Sequence, residues 1–281
     1  MLKRTHLRVL AGFLITCGLC TAEDLNGQKH FSEMLFEATF AIESDSCCLG
    51  TGFCIGCETT GKKFFVTARH VLDSLAGDTA VIFYRKMLPD GTWKTITYRQ
   101  AIRRKGVPLY VVHPNPAVDV AAFYMQDSGD STFARQFQPF SNRLLAKDED
   151  MRKYWIHPGD ELFFLGYPAG MTSPEGAFPI LRSGFISSYP FLPLNEHVFI
   201  FLDGSVFDGN SGGPVFFEYA PSSWGGRFVN QKGFIVGLIS FSLTPEVSLK
   251  IDPIKKRRDI RVAGFVNSVF ILELLASMGC N

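Results

Sequence analysis

Gly209-Asn210-Ser211-Gly212-Gly213-Pro214 is the stretch on which the reading of this chain turns. A serine held between glycines presents its hydroxyl on a sharp turn, because glycine adopts the dihedrals that such a turn needs. The N–H groups of Gly209 and Ser211 are then expected to face one way and to form a site for a developing oxyanion. A glycine-rich surface turn reads the same in isolation, so the rest of the chain must supply a base. The six residues also fit the nucleophile elbow of an α/β-hydrolase, in which the histidine follows the serine. No histidine follows Ser211. That fold is excluded as the source of the base.

Working outward, the histidines past the N-terminal leader are His30, His70, His113, His157 and His197. His113 and His157 each precede a proline, His30 lies near the leader, and His197 opens a strand-like run. His70 alone ends a rigid apolar run, Phe64-Phe65-Val66-Thr67-Ala68-Arg69-His70, and is the expected base for the Ser211 hydroxyl. The adjacent Arg69 is expected to point away along the strand. Asp119 directly precedes the small apolar run Val120-Ala121-Ala122. Burying its carboxylate there is costly unless it is hydrogen-bonded, and a carboxylate so placed orients an imidazole and stabilises its charged form. A turn-capping role would also account for Asp119 taken alone.

Composition supports many short strands. The 281 residues are 46% hydrophobic and 20% charged, with 28 basic and 27 acidic side chains. Such a balance excludes a dominantly disordered chain, and the lack of a basic excess argues against nucleic acid as a partner. With 27 Phe, 26 Gly and 15 Pro, strands joined by tight turns are favoured over a helical bundle. Strand-like runs fall at 38–43, 63–67, 80–84, 94–98, 109–112 and 120–125, with a further strand-like stretch at 50–53. After a polar segment over 127–154 they resume at 161–166, 184–188, 197–202, 214–218, 233–240 and 262–266. Residues 266–278 have helical spacing, with Val269, Leu272, Leu275 and Ala276 on one side. The expected fold class is all-β, two packed antiparallel six-stranded β-barrels with a C-terminal helix.

At the N-terminus, Lys3, Arg4 and Arg8 precede an apolar run over 9–20, and Cys20-Thr21-Ala22 offers a cleavage site. The expected organisation is a signal peptide over 1–22, a first barrel over 23–140 and a second over 141–281. The run is too short for a permanent membrane helix, so an exported protein without an integral membrane segment is expected. Export favours disulfides over a zinc site in the cluster Cys47, Cys48, Cys54 and Cys57, with Cys280 leaving an odd count. Lys255-Lys256-Arg257-Arg258, flanked by Asp252 and Asp259, reads as a solvated hairpin tip.

Thr67-Ala68-Arg69-His70-Val71, Asp119-Val120-Ala121 and Gly209-Asn210-Ser211-Gly212-Gly213-Pro214 resemble the trypsin-like serine peptidases, and the bacterial HtrA-like branch in particular. Gly50-Thr51-Gly52-Phe53 and the run 233–240 extend the likeness to roughly residues 40–278. The order His70, Asp119, Ser211 is that of chymotrypsin-like enzymes. What the resemblance implies is a cleft between two barrels, with His70 and Asp119 from the first and Ser211 from the second. It implies an oxyanion hole from Gly209 and Ser211. Ser205 would lie at the base of the S1 pocket, Asp208 at its rim, and Ser240-Phe241-Ser242 would run past the substrate. With no acid at 205, a Lys or Arg at P1 would be a buried unpaired cation, so a small or medium uncharged P1 residue is expected.

Two departures carry information. Val71 stands where many animal members have a cysteine, so that family disulfide is missing. Asn210 stands where they have an aspartate that pairs with a newly cut N-terminal amine, so no such activation cleavage is expected. HtrA proteins carry a PDZ domain after the peptidase, whereas only a short tail follows here, which implies a single-unit peptidase without that regulatory module or a strong reason to form HtrA-type trimers. The expectation is an exported serine endopeptidase acting on polypeptide, with no cofactor and no metal. The alternative is a catalytically silent barrel that serves as a binding module; an esterase or self-cleaving variant would use the same residues.

Overall fold

The computed structural model describes residues 30–44, 48–125, 139–219, 232–243 and 262–281. The expected leader, Cys47 and the basic run 255–258 lie outside the described residues, as does most of the polar segment before residue 139. Among the described residues, sixteen strands and four α-helices carry the architecture.

The first sheet contains β1 (Thr39–Glu43), β2 (Cys48–Gly56), β3 (Lys63–Thr67), β4 (Thr79–Met87) and β5 (Trp93–Ala101). A two-residue ladder, β6 (Arg103–Arg104) with β7 (Val107–Pro108), leads to β8 (Val111–Val112), β9 (Ala121–Tyr124) and β10 (Phe140–Ser141). Its order is β5-β4-β1-β2-β3-β9-β8, with β10 added in parallel to β2. The second set is β11 (Glu161–Gly166), β12 (Ile180–Ile186), β13 (Phe199–Asp203), β14 (Pro214–Tyr219), β15 (Lys232–Leu243) and β16 (Val262–Asn267). These close into a six-stranded antiparallel barrel, β11-β12-β13-β16-β15-β14. Among the described residues, pairing closes this second set alone, whereas two closed barrels were expected. Prolines at 108, 114 and 116 supply no N–H on either side of β8, which keeps that edge strand short.

Helices α1 (Phe31–Ala38), α2 (Arg69–Ser74), α3 (Asp148–Lys153) and α4 (Ser268–Ser277) complete the fold. α3 falls in the segment read only as polar; Asp148, Glu149 and Asp150 occupy its first turn and Arg152 and Lys153 its last, matching the helix dipole. Of the side of α4 marked by Val269, Leu272, Leu275 and Ala276, Leu275 is buried, Val269 and Leu272 are half-buried and Ala276 is exposed, while Phe270, Ile271, Leu274 and Met278 are buried as well. The helix is apolar on nearly every side, so periodicity alone could not select its face.

Phenylalanine fills the interior. Phe40, Phe53, Phe64, Phe65, Phe164, Phe216 and Phe265 are all fully buried. Phe65 stacks on Phe123 at 5.0 Å between ring centres. One apolar cluster crosses between the two strand sets: Leu165, Phe216, Ile235 and Leu238 of the barrel pack with the first-sheet core and with α4. Each such side chain contributes roughly 1.5–3 kcal/mol by leaving water, so the junction is held by the same effect as the interiors.

Cys54 and Cys57, expected to form disulfides within the cysteine cluster, do not pair inside it, while Cys47 and the side chain of Cys48 lie outside the described residues. Cys57 is bonded to Cys280, at 5.6 Å between Cα atoms, and Cys54 is a free, buried thiol. Strand alternation explains the split. Cys54 points into the core of β2, while Cys57 stands just past the strand end, where the residues after α4 arrive.

Candidate active site

His70 owes its place to a change of structure at the end of β3. The strand stops at Thr67, Ala68 caps the chain in an extended conformation, and α2 begins at Arg69. Val71 and Leu72 bury the inner side of this short helix, which leaves the His70 ring partly exposed at its rim. Arg69, expected to point along a strand, instead sits in the first turn of α2 and pairs with Asp73 at 3.0 Å, an i,i+4 contact.

β9 pairs with β3, placing Ala121 opposite Thr67. Asp119, two residues ahead of that pair, therefore meets the start of α2. Its Oδ1 accepts the His70 backbone N–H at 2.9 Å, and its Oδ2 lies 2.6 Å from His70 Nδ1. An ionised carboxylate can only accept, so Nδ1 carries a proton and, in the neutral imidazole, Nε2 keeps the lone pair. A second donor reaches the same Oδ2, the Ser240 hydroxyl at 2.6 Å. Burial pushes the Asp119 carboxyl up, but the hydrogen bonds from His70 and Ser240 outweigh it and hold the group below the usual carboxylate value.

Ser211 enters from the barrel, on the turn that leads into β14. Phe207 to Asn210 form a β-turn closed by Asn210 N–H to the Phe207 carbonyl at 3.0 Å, with Gly209 third at φ +92°. That is a type II turn, whose third residue must be glycine or a close substitute. A Cβ at 209 would lie 2.1 Å from the Tyr167 carbonyl oxygen. The Asp208 carbonyl accepts from Ala169 N–H at 2.7 Å. Because the peptide is planar and trans, the Gly209 N–H points to the opposite side, away from the Tyr167–Ala169 loop. Among the described residues, neither the Gly209 N–H nor the Ser211 N–H is taken by a hydrogen bond.

His70, Asp119, Val206, Phe207, Asp208, Ser211, Ser240 and Phe241 line one cleft of about 510 Å³. The Ser211 hydroxyl donates to the Ser240 carbonyl at 3.4 Å rather than to His70. Ser240, expected beside substrate, is buried and spends its hydroxyl on Asp119. Phe241 lies over Gly264, with its ring 4.9 Å from that of Phe199. Ser205 is half-buried and does not line the cleft; its neighbour Val206 does. The side chain of Ser242 lies outside the described residues. Gly50 leaves the space that the Val71 methyl groups fill, since a Cβ there would come within 2.7 Å of them.

The other histidines stand elsewhere. His30 caps α1, and His157 is exposed beside Asp160. The His197 carbonyl accepts from Asn267, and buried His113 bonds Glu273 at 3.0 Å. Among the described residues, no group of three or more His, Cys, Asp or Glu side chains could hold a metal ion, and no helix is long and apolar enough to cross a membrane. Sequence reading missed the Ser240–Asp119 bond and the contacts of Thr51. The serine before Phe241 offered no signal for the first; Gly50-Thr51-Gly52 marked the second only as a strand.

A family model described as a trypsin-like peptidase domain matches residues 50–221. No curated protein matches the chain.

Proposed function

Because the chain belongs to the trypsin-like peptidase domain family, we propose that it is an exported serine endopeptidase whose triad is His70, Asp119 and Ser211. The observation that carries this reading is the 2.6 Å bond between His70 Nδ1 and Asp119, in the same cleft as Ser211. In the reaction, the Ser211 hydroxyl turns from the Ser240 carbonyl to His70 Nε2; such bonds are often long or misaligned before substrate arrives. Its oxygen attacks the carbonyl carbon of the scissile bond while Nε2 takes the proton. Asp119 holds the imidazole in the right tautomer and stabilises the imidazolium. The Gly209 and Ser211 N–H groups donate to the oxyanion. As the C–N bond breaks, the imidazolium gives its proton to the leaving amine and an acyl-Ser211 ester remains. Water, deprotonated by His70, then releases the acid and restores the serine.

Asn210 in place of an acid at a fully buried position supports the HtrA-like branch and an enzyme that needs no activation by a new N-terminal amine. The basic and apolar leader supports export, and so does the Cys57–Cys280 bond, since disulfides persist in oxidising compartments. Val206, Phe207 and Phe241 favour a small or medium uncharged P1 side chain. We place the first unit at 23–140 and the second at 141–281, and take polypeptide as the substrate.

Intact-mass analysis after fluorophosphonate treatment tests the triad. One adduct is expected on the protein and none on Ser211→Ala, together with cleavage of labelled casein by the former alone. A folded protein that takes no adduct would move the chain to a non-catalytic role.

A further inference from the structure

Thr51 is wholly buried on β2, in the first sheet. Its hydroxyl donates across to the Gly209 carbonyl at 2.6 Å, and its backbone N–H donates to the Ser211 carbonyl at 2.8 Å. One residue thus grips the carbonyls on both sides of Asn210. Thr67 fixes that residue in turn, its own hydroxyl donating to the Thr51 carbonyl at 2.6 Å. The approach is close: a Cβ on Gly212 would lie 2.1 Å from the Thr51 carbonyl oxygen and 2.3 Å from the Thr67 hydroxyl.

The planarity of the peptide gives these contacts a consequence, because the direction of each carbonyl sets the direction of the next N–H. The Asp208 carbonyl, held by Ala169 N–H at 2.7 Å, sets the Gly209 N–H. The Asn210 carbonyl, held by Gly213 N–H at 3.0 Å, sets the Ser211 N–H. Between them lies the Gly209–Asn210 peptide. Apart from Thr51, its carbonyl has the Tyr167 N–H at 3.4 Å, a long bond, while its N–H closes the turn on the Phe207 carbonyl at 3.0 Å. It begins at a glycine, which resists reorientation less than any other residue. A valine would fill a buried strand position equally well, and a buried hydroxyl is unfavourable without a partner.

We propose that Thr51 is a positioning residue for the oxyanion site: its hydroxyl holds the middle peptide of the nucleophile turn so that the N–H groups of Gly209 and Ser211 converge. This rests on the peptidase reading above. Thr51 touches no reacting atom, and it acts through the backbone of the neighbouring barrel.

The test is the second-order rate of labelling by a fluorophosphonate. In that reaction the Ser211 oxygen bonds phosphorus, the P–F bond breaks, and the hydroxyl proton leaves with fluoride by way of His70. The phosphoryl oxygen occupies the oxyanion site. Thr51→Val and Thr51→Ala are expected to label about tenfold more slowly, a fraction of the 10²–10³-fold that loss of an oxyanion donor itself costs. Thr51→Ser keeps the donor and is expected to label within about twofold of the parent protein. The Ser and Ala variants both lack the methyl group, so their difference isolates the hydroxyl even if Thr51→Val fails to fold. The midpoint of the rate–pH profile should stay put while the plateau falls. Equal rates in the Ser and Ala variants would overturn the proposal, and so would a shifted midpoint, which would trace the loss to His70. A parent protein that takes no label overturns the peptidase reading and this inference with it; a parent that labels beside unaffected variants sinks this inference alone.

Discussion

Asp119 shows how one side chain ties the chemistry of the cleft to the stability of the fold. Its carboxylate accepts from the His70 ring, the His70 backbone and the Ser240 hydroxyl. Together these hold it below the usual carboxylate value in spite of burial. An unfolded aspartate titrates near about 3.9. The folded state therefore binds fewer protons in the window below that value, and the contribution of Asp119 to stability is complete above it. It is lost as pH falls through the lowered folded value. Asp119→Asn should unfold at a lower temperature than the parent at pH 6, with the gap narrowing as the pH drops below about 4. A gap that stays constant from pH 6 to pH 2 would contradict this account. Catalysis should suffer more than stability, with kcat down by about 10⁴-fold, because an amide no longer fixes the imidazole tautomer.

Among the elements, α4 and the residues that follow it are tied down at several points. α4 buries Phe270, Ile271, Leu274 and Leu275 against the junction of the two strand sets. Just beyond it the Met278 carbonyl accepts from the Tyr124 hydroxyl at 2.6 Å, the Asn281 carbonyl accepts from Thr59, and Cys280 is bonded to Cys57. The disulfide closes a loop across 223 residues of sequence, so reducing it frees much of the unfolded chain. Cys280→Ser is expected to lower stability by about 2–5 kcal/mol. In the parent protein dithiothreitol should lower the thermal midpoint, and in the variant it should leave the midpoint unmoved. Sensitivity of the variant to the reductant would show that another disulfide matters more. β3 and β9 do the corresponding work for the site, since their register brings Asp119 to His70 across 49 residues.

At the scale of the whole molecule, the cleft lies where two strand sets meet on shared apolar material. Phe216 belongs to the barrel, yet it packs with Phe31 at 5.9 Å and within the cluster that fills the first sheet. Phe216→Ala should cost about 3–5 kcal/mol, and hydrogen exchange should quicken in β3 as much as in β15. Unchanged protection in β3 would mean that the two halves unfold independently. The sequence by itself determined the strand-rich class, the approximate places of most strands, and His70, Asp119 and Ser211 as the residues of interest. Those follow from local rules: alternation, turn-forming residues, glycines around a serine, and the order of three residues along the chain. Tertiary structure decided the strand order of the first sheet, the inward face of α4, and the partnership of Cys57 with Cys280. It also put the Ser240 hydroxyl on Asp119 and the Thr51 hydroxyl on Gly209. Each of these depends on which groups meet across distances of many residues, and the identity of a residue fixes what it can bond to but not what packing brings within reach.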